Sequence, residues 1–221
     1  MIGARSTGPT AALAGVSSGV QAHGIWSGRR QGFVRFAGEA ETAIMYTAAA
    51  LANELKKLAA RNVYHSLALA GRDVLGNLEF LTAALPVAGV TLPIMVDCDG
   101  QRPEAIAPLQ RYLAMVQVTT DCAGPAGTED RVIETLAAAK AGGCQHALVI
   151  APAEQASDAV ILRAVERARE ASSATSIIIH PPPGAEKDVL DARWGTLTER
   201  AVGLHPDVRL VLRLPGPAGM R

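Results

Sequence analysis

Arg30–Ala48 reads RQGFVRFAGEAETAIMYTA. Its first part, Gly32-Phe33-Val34-Arg35-Phe36-Ala37-Gly38, has the composition of a short strand, Phe33–Ala37, ending in a small-residue turn. Outward from it, strand-like and helix-like runs alternate to the end of the chain. Ala48–Ala60 places Leu51, Leu55 and Leu58 on one stripe, with Glu54, Lys56 and Lys57 elsewhere, which predicts an amphipathic helix. Ser66–Ala70 is a small-residue strand. Asn77 opens a helix through Leu85, and Leu92–Asp97 is a buried strand. Pro103 starts a helix that reaches Leu109, since proline suits a first helical turn.

Leu113–Thr119 follows as a strand. Thr128–Ala141 is a helix capped by Thr128, with Glu129 and Asp130 in its first turn. Ala147–Ala151 is a strand, Ser157–Ala171 a helix capped by Ser157, and Ser176–His180 a strand ended by three prolines. Val189–Val202 is a helix and Val208–Leu214 the last strand. Six βα units and a terminal strand imply a parallel sheet covered by helices. Right-handed crossovers curl such a sheet into a partial (βα)6 TIM-like barrel. A flat doubly wound sheet is the competing arrangement. Residues 1–15 read as a flexible tail, and 16–221 as one domain.

Composition narrows the function. The chain has 221 residues, 49% of them hydrophobic, enough for a sizeable core. Lys+Arg and Asp+Glu both number 21, so no net field draws in nucleic acid or an anionic membrane. Aromatics at 4% leave few rings for base stacking. No window approaches the roughly 18 to 20 apolar residues of a membrane span, and the first residues lack the pattern of a secretory signal. Cys98, Cys122 and Cys144 are scattered and odd in number, which fits reduced thiols in a cytoplasmic protein rather than a disulfide framework.

Glu39, Ala43 and Tyr46 follow the first strand at offsets of four and three. That is the Cys-x3-Cys-x2-Cys spacing of radical S-adenosylmethionine (SAM) enzymes, with no cysteine present. The layout from about Val16 onward resembles the 7-carboxy-7-deazaguanine synthase branch of that family, in its radical SAM-type core. Gln21-Ala22-His23-Gly24 stands where that branch has Gln-Gly-Glu-Gly, and Phe33-Val34-Arg35 where it has its Phe-Val-Arg strand. Ala70-Gly71-Arg72-Asp73-Val74 falls on its SAM-cradling Thr-Gly-Gly-Glu-Pro turn, and Asp97-Cys98-Asp99-Gly100 on its Glu-Thr-Asn-Gly strand end. The resemblance implies a homologue from a queuosine-related pathway whose cluster positions (Glu39, Ala43, Tyr46) and SAM turn (Gly71, Arg72, Asp73) are degenerate. A cluster needs three thiolates, and an oxygen, a methyl group and a phenol do not replace them. No iron–sulfur cluster or SAM is then expected. Tyr46-Thr47-Ala48 also breaks the family's magnesium pattern.

Strand ends and the turn before the first strand supply the candidate ligand-binding residues Gln21, His23, Arg35, Asp97, Asp99, Asp121, His180 and Arg213. Asp97, Asp99 and His180 form a candidate set for a divalent metal. Arg72 or Arg213 is a candidate clamp for a substrate carboxylate. The leading expectation is a pseudoenzyme that binds a pterin- or purine-like ligand, as a homodimer or beside an active homologue. The alternative is a repurposed non-radical lyase, isomerase or hydrolase that uses the acidic strand-end rim.

Overall fold

Among the described residues the strands form one nine-stranded sheet. The computed structural model describes residues 8–125, 127–153, 156–182 and 190–212. The strands are β1 (Thr10–Val20), β2 (Arg30–Phe36), β3 (Ile44–Thr47), β4 (Ser66–Gly71), β5 (Ile94–Cys98), β6 (Met115–Thr120), β7 (Gln145–Ile150), β8 (Ser176–Ile179) and β9 (Val208–Leu210). Their order across the sheet is β3-β1-β2-β4-β5-β6-β7-β8-β9. The helices are α1 (Ala48–Ala59), α2 (Leu78–Ala88), α3 (Ile106–Leu109), α4 (Thr128–Ala141), α5 (Asp158–Ala171) and α6 (Thr196–Leu204).

From β2 to β9 every pairing is parallel, and neighbours in space are neighbours in sequence once β3 is set aside. A doubly wound sheet would reverse its order at a switch point. This one does not, so the chain is an α/β partial barrel with β3 and β9 at its edges.

Alternation along each strand divides two faces. Val34, Leu67, Leu69, Val96, Val116, Val118, Leu148, Ile150, Ile177 and Ile179 pack with Leu51, Leu55, Leu81, Leu136, Ile161 and Leu197 of the helices in the main core. Each such fully buried side chain contributes about 1.5–3 kcal/mol. The opposite, concave face carries Ala68, Met95, Met115 and Ala147, covered by Ile25, Trp26 and Phe33. Ile25 and Trp26 belong to the loop that joins β1 to β2. Small Ala68 and Ala147 leave room for that loop to cross the sheet.

Local chemistry explains most boundaries. Thr47 caps α1 by accepting from the Ala50 amide at 3.1 Å, and Ser157 caps α5 by accepting from Val160. Thr128 does not cap α4; Gly127, at φ +90°, holds that position and Thr128 is the first helical residue. Asn77 precedes α2 without bonding its amides. The segment from Pro103 is a 3-10 turn followed by the single turn of α3. The expected helix after residue 189 is a π-helical turn, Leu190–Gly195, followed by α6.

Two expectations near the N-terminus are corrected. Residues 10–15, read as tail, belong to β1, which pairs antiparallel with β2 and β3. Its sequence, TAALAGVSSGV, is too rich in small residues to announce a strand, and pairing on both edges supplies what propensity does not. The presumed cluster loop is no loop at its far end: Ile44–Thr47 is strand β3, with Tyr46 opposite Ala11.

Candidate active site at the strand ends

The β1–β2 connection is the element that makes the site. It leaves β1 at Val20, crosses the concave face and returns at Arg30. Its ends are tied by Gln21 N–H donating to Arg29 O and Gly28 N–H donating to Gln21 O, both at 2.9 Å. Its middle bonds to strand side chains. Gly24 N–H donates to His180 Nε2 at 2.9 Å, and Ile25 N–H donates to Gln117 Oε1 at 3.1 Å. Gly24 lies so close to the sheet that a Cβ there would fall 1.9 Å from Gln117 Oε1, and its φ is +77°. Only glycine fits.

This path delivers His23 to Asp97 on β5, with Nε2 to Oδ2 at 2.7 Å. Thr119 Oγ1 donates to the other carboxylate oxygen at 2.9 Å. The Asp97 side chain is only 10% exposed. Burial pushes its carboxyl up, but the hydrogen bond from His23, the positive charge of that ring whenever it is protonated, and the hydrogen bond from Thr119 outweigh that and hold it below the usual carboxylate range. Gln117 Nε2 makes no hydrogen bond of good geometry. An ionised Asp97 only accepts, so a neutral His23 carries its proton on Nε2 and a lone pair on Nδ1.

His23 and Asp97 form one wall of a cleft of about 430 Å³. Phe33, Ala22 and Ala70 make it apolar, and Arg35, Arg72 and Glu41 stand at its rim. Its size suits a small ligand. Arg35 pairs with Glu41, and Arg72 with Glu39 at 2.8 Å. The Arg72 pair is solvent-exposed and therefore worth at most about 1 kcal/mol.

The remaining predicted residues scatter. Gln21 is buried and lines the cleft. Asp73 is held by Arg102 at 2.6 Å, which keeps its carboxyl below the usual range. Asp99 and Asp121 are exposed and accept from the amides of Gln101 and Ala123. His180 is 1% exposed; its Nδ1 bonds to Val211 O and its Nε2 to Gly24, so it has no nitrogen left for a metal. Among the described residues no group of three His, Cys, Asp or Glu is placed to hold a metal ion. Arg213 lies outside the described residues.

Sequence reasoning missed Gln117, Thr119 and the loop path itself. Gln117 carried a usable signal, a lone amide inside the apolar run Met115-Val116-Gln117-Val118. The loop's two bonds to the sheet have none, because they depend on residues 92 and 156 positions away. Other polar residues proved structural. His146 is buried between Cys144 O and Ser172 Oγ, His65 stands edge-on to Trp26, and Trp194 is buried.

No protein-family model matches the chain, and no curated protein does. Solved structures that align with it include the apo form of a protein described as a deoxyribose-phosphate aldolase from Toxoplasma gondii ME49, at 14% identity and TM-score 0.41, covering 80% of this chain and 73% of that one. A second structure of an aldolase so described, from the same organism, aligns at 15% identity and TM-score 0.38, covering 80% and 72%. The apo form of an E. coli protein described as ribokinase II aligns at 11% identity and TM-score 0.30, covering 94% and 71%.

The resemblance to radical SAM enzymes and the deazaguanine synthase branch is accordingly corrected, and the queuosine-related role with it. No family model or curated protein supports it. The local structure gives the physical reason. Glu39 sits in an exposed turn paired to Arg72, Ala43 is exposed before β3, and Tyr46 lies on β3 packed against the helix-side core. The four-and-three spacing thus spans a turn and an edge strand, not a loop closing on one point. Gly71, read as part of a SAM turn, serves the sheet: at φ +110°, a Cβ on it would lie 2.2 Å from the Phe36 carbonyl oxygen.

Among the described residues no helix is long and apolar enough to cross a membrane.

Proposed function

We propose that the protein is a non-radical lyase or isomerase acting on a small anionic substrate by proton transfer. One observation carries the reading: His23 and Asp97, 74 positions apart, meet at 2.7 Å on the wall of an apolar cleft rimmed by arginine. In this reading His23 Nδ1 takes the substrate proton, and Asp97 orients the ring and stabilises the imidazolium that forms. Thr119 holds Asp97. Arg35 and Arg72 exchange their glutamates for a carboxylate or phosphate of the substrate. The four lysines of the chain are Lys56, Lys57, Lys140 and Lys187, none of them on a described strand, so a Schiff base is not part of the reading. Neither is a cluster, SAM or a metal ion.

Incubating the protein in D2O with a panel of 2-oxo acids, 2-hydroxy acids and sugar phosphates tests this. Mass spectrometry is expected to find deuterium entering one compound class, or that class being cleaved or isomerised. His23→Ala should then slow turnover by about 10²–10⁴-fold, the usual worth of a positioned base. Undiminished turnover in His23→Ala, or no exchange with any of the panel, defeats the proposal. The three free thiols, Cys98, Cys122 and Cys144, support a reducing, cytoplasmic setting. A homodimer is part of the proposal and is checked by light scattering.

A further inference from the structure

We infer that His180 is the positioning residue of this site: from the end of β8 it holds the backbone of Gly24 and thereby sets His23 against Asp97. The inference rests on the proposed role of His23 and adds the device that aims it. The loop crosses an apolar surface of Met95, Met115 and Ala147. An amide turned toward that surface without an acceptor would be costly. Two successive amides do turn there, Gly24 and Ile25. Each is met by a buried side chain from a different strand, His180 (1% exposed) on one side and Gln117 (0%) on the other.

His180 is itself held in one state. Its Nδ1 bonds to the carbonyl of Val211, an acceptor, so Nδ1 carries the proton and Nε2 presents a lone pair to Gly24 N–H. The end of β9 thus sets the tautomer on β8, and that tautomer holds the loop. Gly24 follows His23 directly, so a shift of its nitrogen moves the His23 backbone by a similar amount. The His23–Asp97 bond, at 2.7 Å, tolerates only about 0.5 Å before it leaves the hydrogen-bonding range. The two rings stand edge-on, 6.2 Å between centroids. His180 therefore acts on His23 through the backbone and not by proton exchange. Gln117 is the second hold, with Oε1 committed to Ile25 and Nε2 on the side of Asp97.

Two substitutions separate the nitrogens of His180. His180→Gln places an amide oxygen where Nε2 was and keeps an acceptor for Gly24. His180→Asn keeps a donor for Val211 and leaves Gly24 without an acceptor. Hydrogen exchange at Gly24 and nitrogen NMR of the His23 ring read the outcome without any substrate, while exchange of the β6 and β7 amides reports folding. The Asn variant is expected to speed Gly24 exchange at least tenfold and to turn the single Nε2–H signature of His23 into a mixture of tautomers. The Gln variant should restore both. With a substrate in hand, kcat should fall about tenfold to a hundredfold in the Asn variant with KM little changed, since small misplacements cost on that scale.

An Asn variant whose His23 signal matches the wild type, or matches the Gln variant, overturns the inference. So does faster Gly24 exchange with an unchanged His23 ring, which would make His180 a purely structural clamp. If His180→Asn does not fold, a folded Gln variant that lacks the Nε2–H signature overturns it equally. A wild-type protein with the His23–Asp97 signature intact and no exchange activity would instead defeat the enzymatic reading alone.

Discussion

Replacing Gly71 with alanine should cost about 3 kcal/mol of stability. Gly71 ends β4 opposite Phe36 of β2, at φ +110°. An added Cβ would lie 2.2 Å from the Phe36 carbonyl oxygen and 2.8 Å from its nitrogen. The first distance is roughly 1 Å short of the approach that carbon makes to a carbonyl oxygen. Both atoms are backbone, so no side chain can rotate away, and the end of the β2–β4 pair must open. Opening releases the Arg72 N–H to Phe36 O bond, 3.2 Å long, at about 1 kcal/mol. The backbone conformation adds about 1–3 kcal/mol for any residue with a Cβ. For a domain of this size the sum lowers Tm by about 6–12 °C. Gly28→Ala is the control: its φ is +82°, yet nothing lies within 4 Å of the new methyl, so only the conformational part is lost. Urea melts followed by circular dichroism compare the two. If Gly71→Ala is no worse than Gly28→Ala, the close approach of β2 and β4 at the cleft is wrong.

Gly24→Ala should cost about 2 kcal/mol in the same melts and release the Ile25–Gln117 bond, because the new methyl would meet Gln117 Oε1 at 1.9 Å; wild-type protection of the Ile25 amide would contradict this. Asp97 has a folded pKa below its unfolded one, so its contribution is complete above about pH 4 and is lost as pH falls through the folded value. Asp97→Asn should therefore flatten the acid limb of the stability profile, and an unchanged limb counts against the ionised buried carboxylate. His205 is 0% exposed, and burial lowers its pKa, so the folded state resists its protonation. Stability should thus be complete above about pH 6.5 and decline below it, with a smaller decline in His205→Gln; equal slopes refute the assignment. Burial pushes the Cys98 thiol up to about 12 and Cys122 to about 11. Iodoacetamide at pH 8 should label Cys98 only when urea is present, and rapid labelling of the native protein would show the strand end to be open.

The βα units were legible because helix and strand periodicities are local. Leu51, Leu55 and Leu58 mark the buried face of α1, Ser157 marks the start of α5, and Leu-Pro-Ile-Met-Val-Asp marks β5 within two residues. Strands β1 and β3 were not. β1 is made of small residues that favour no conformation strongly, and β3 is four residues long. β1 forms on the edge that β2 offers and β3 on the edge that β1 then offers, which is a property of the assembled sheet. The three-residue and four-residue offsets after Phe36 misled for the same reason: spacing along a chain says nothing of convergence when the chain turns into a strand.

The amino-acid order alone determined that this is a parallel α/β chain with small residues and acids gathered where strands end, since those features follow from alternation and propensity within a few residues. Tertiary structure alone decided that His23 reaches Asp97, that His180 and Gln117 hold the loop between them, and that Asp99 and Asp121 stand apart. These contacts join residues 74, 92 and 156 positions apart, and their geometry is set by the packing of a glycine against a buried amide, which no local pattern encodes.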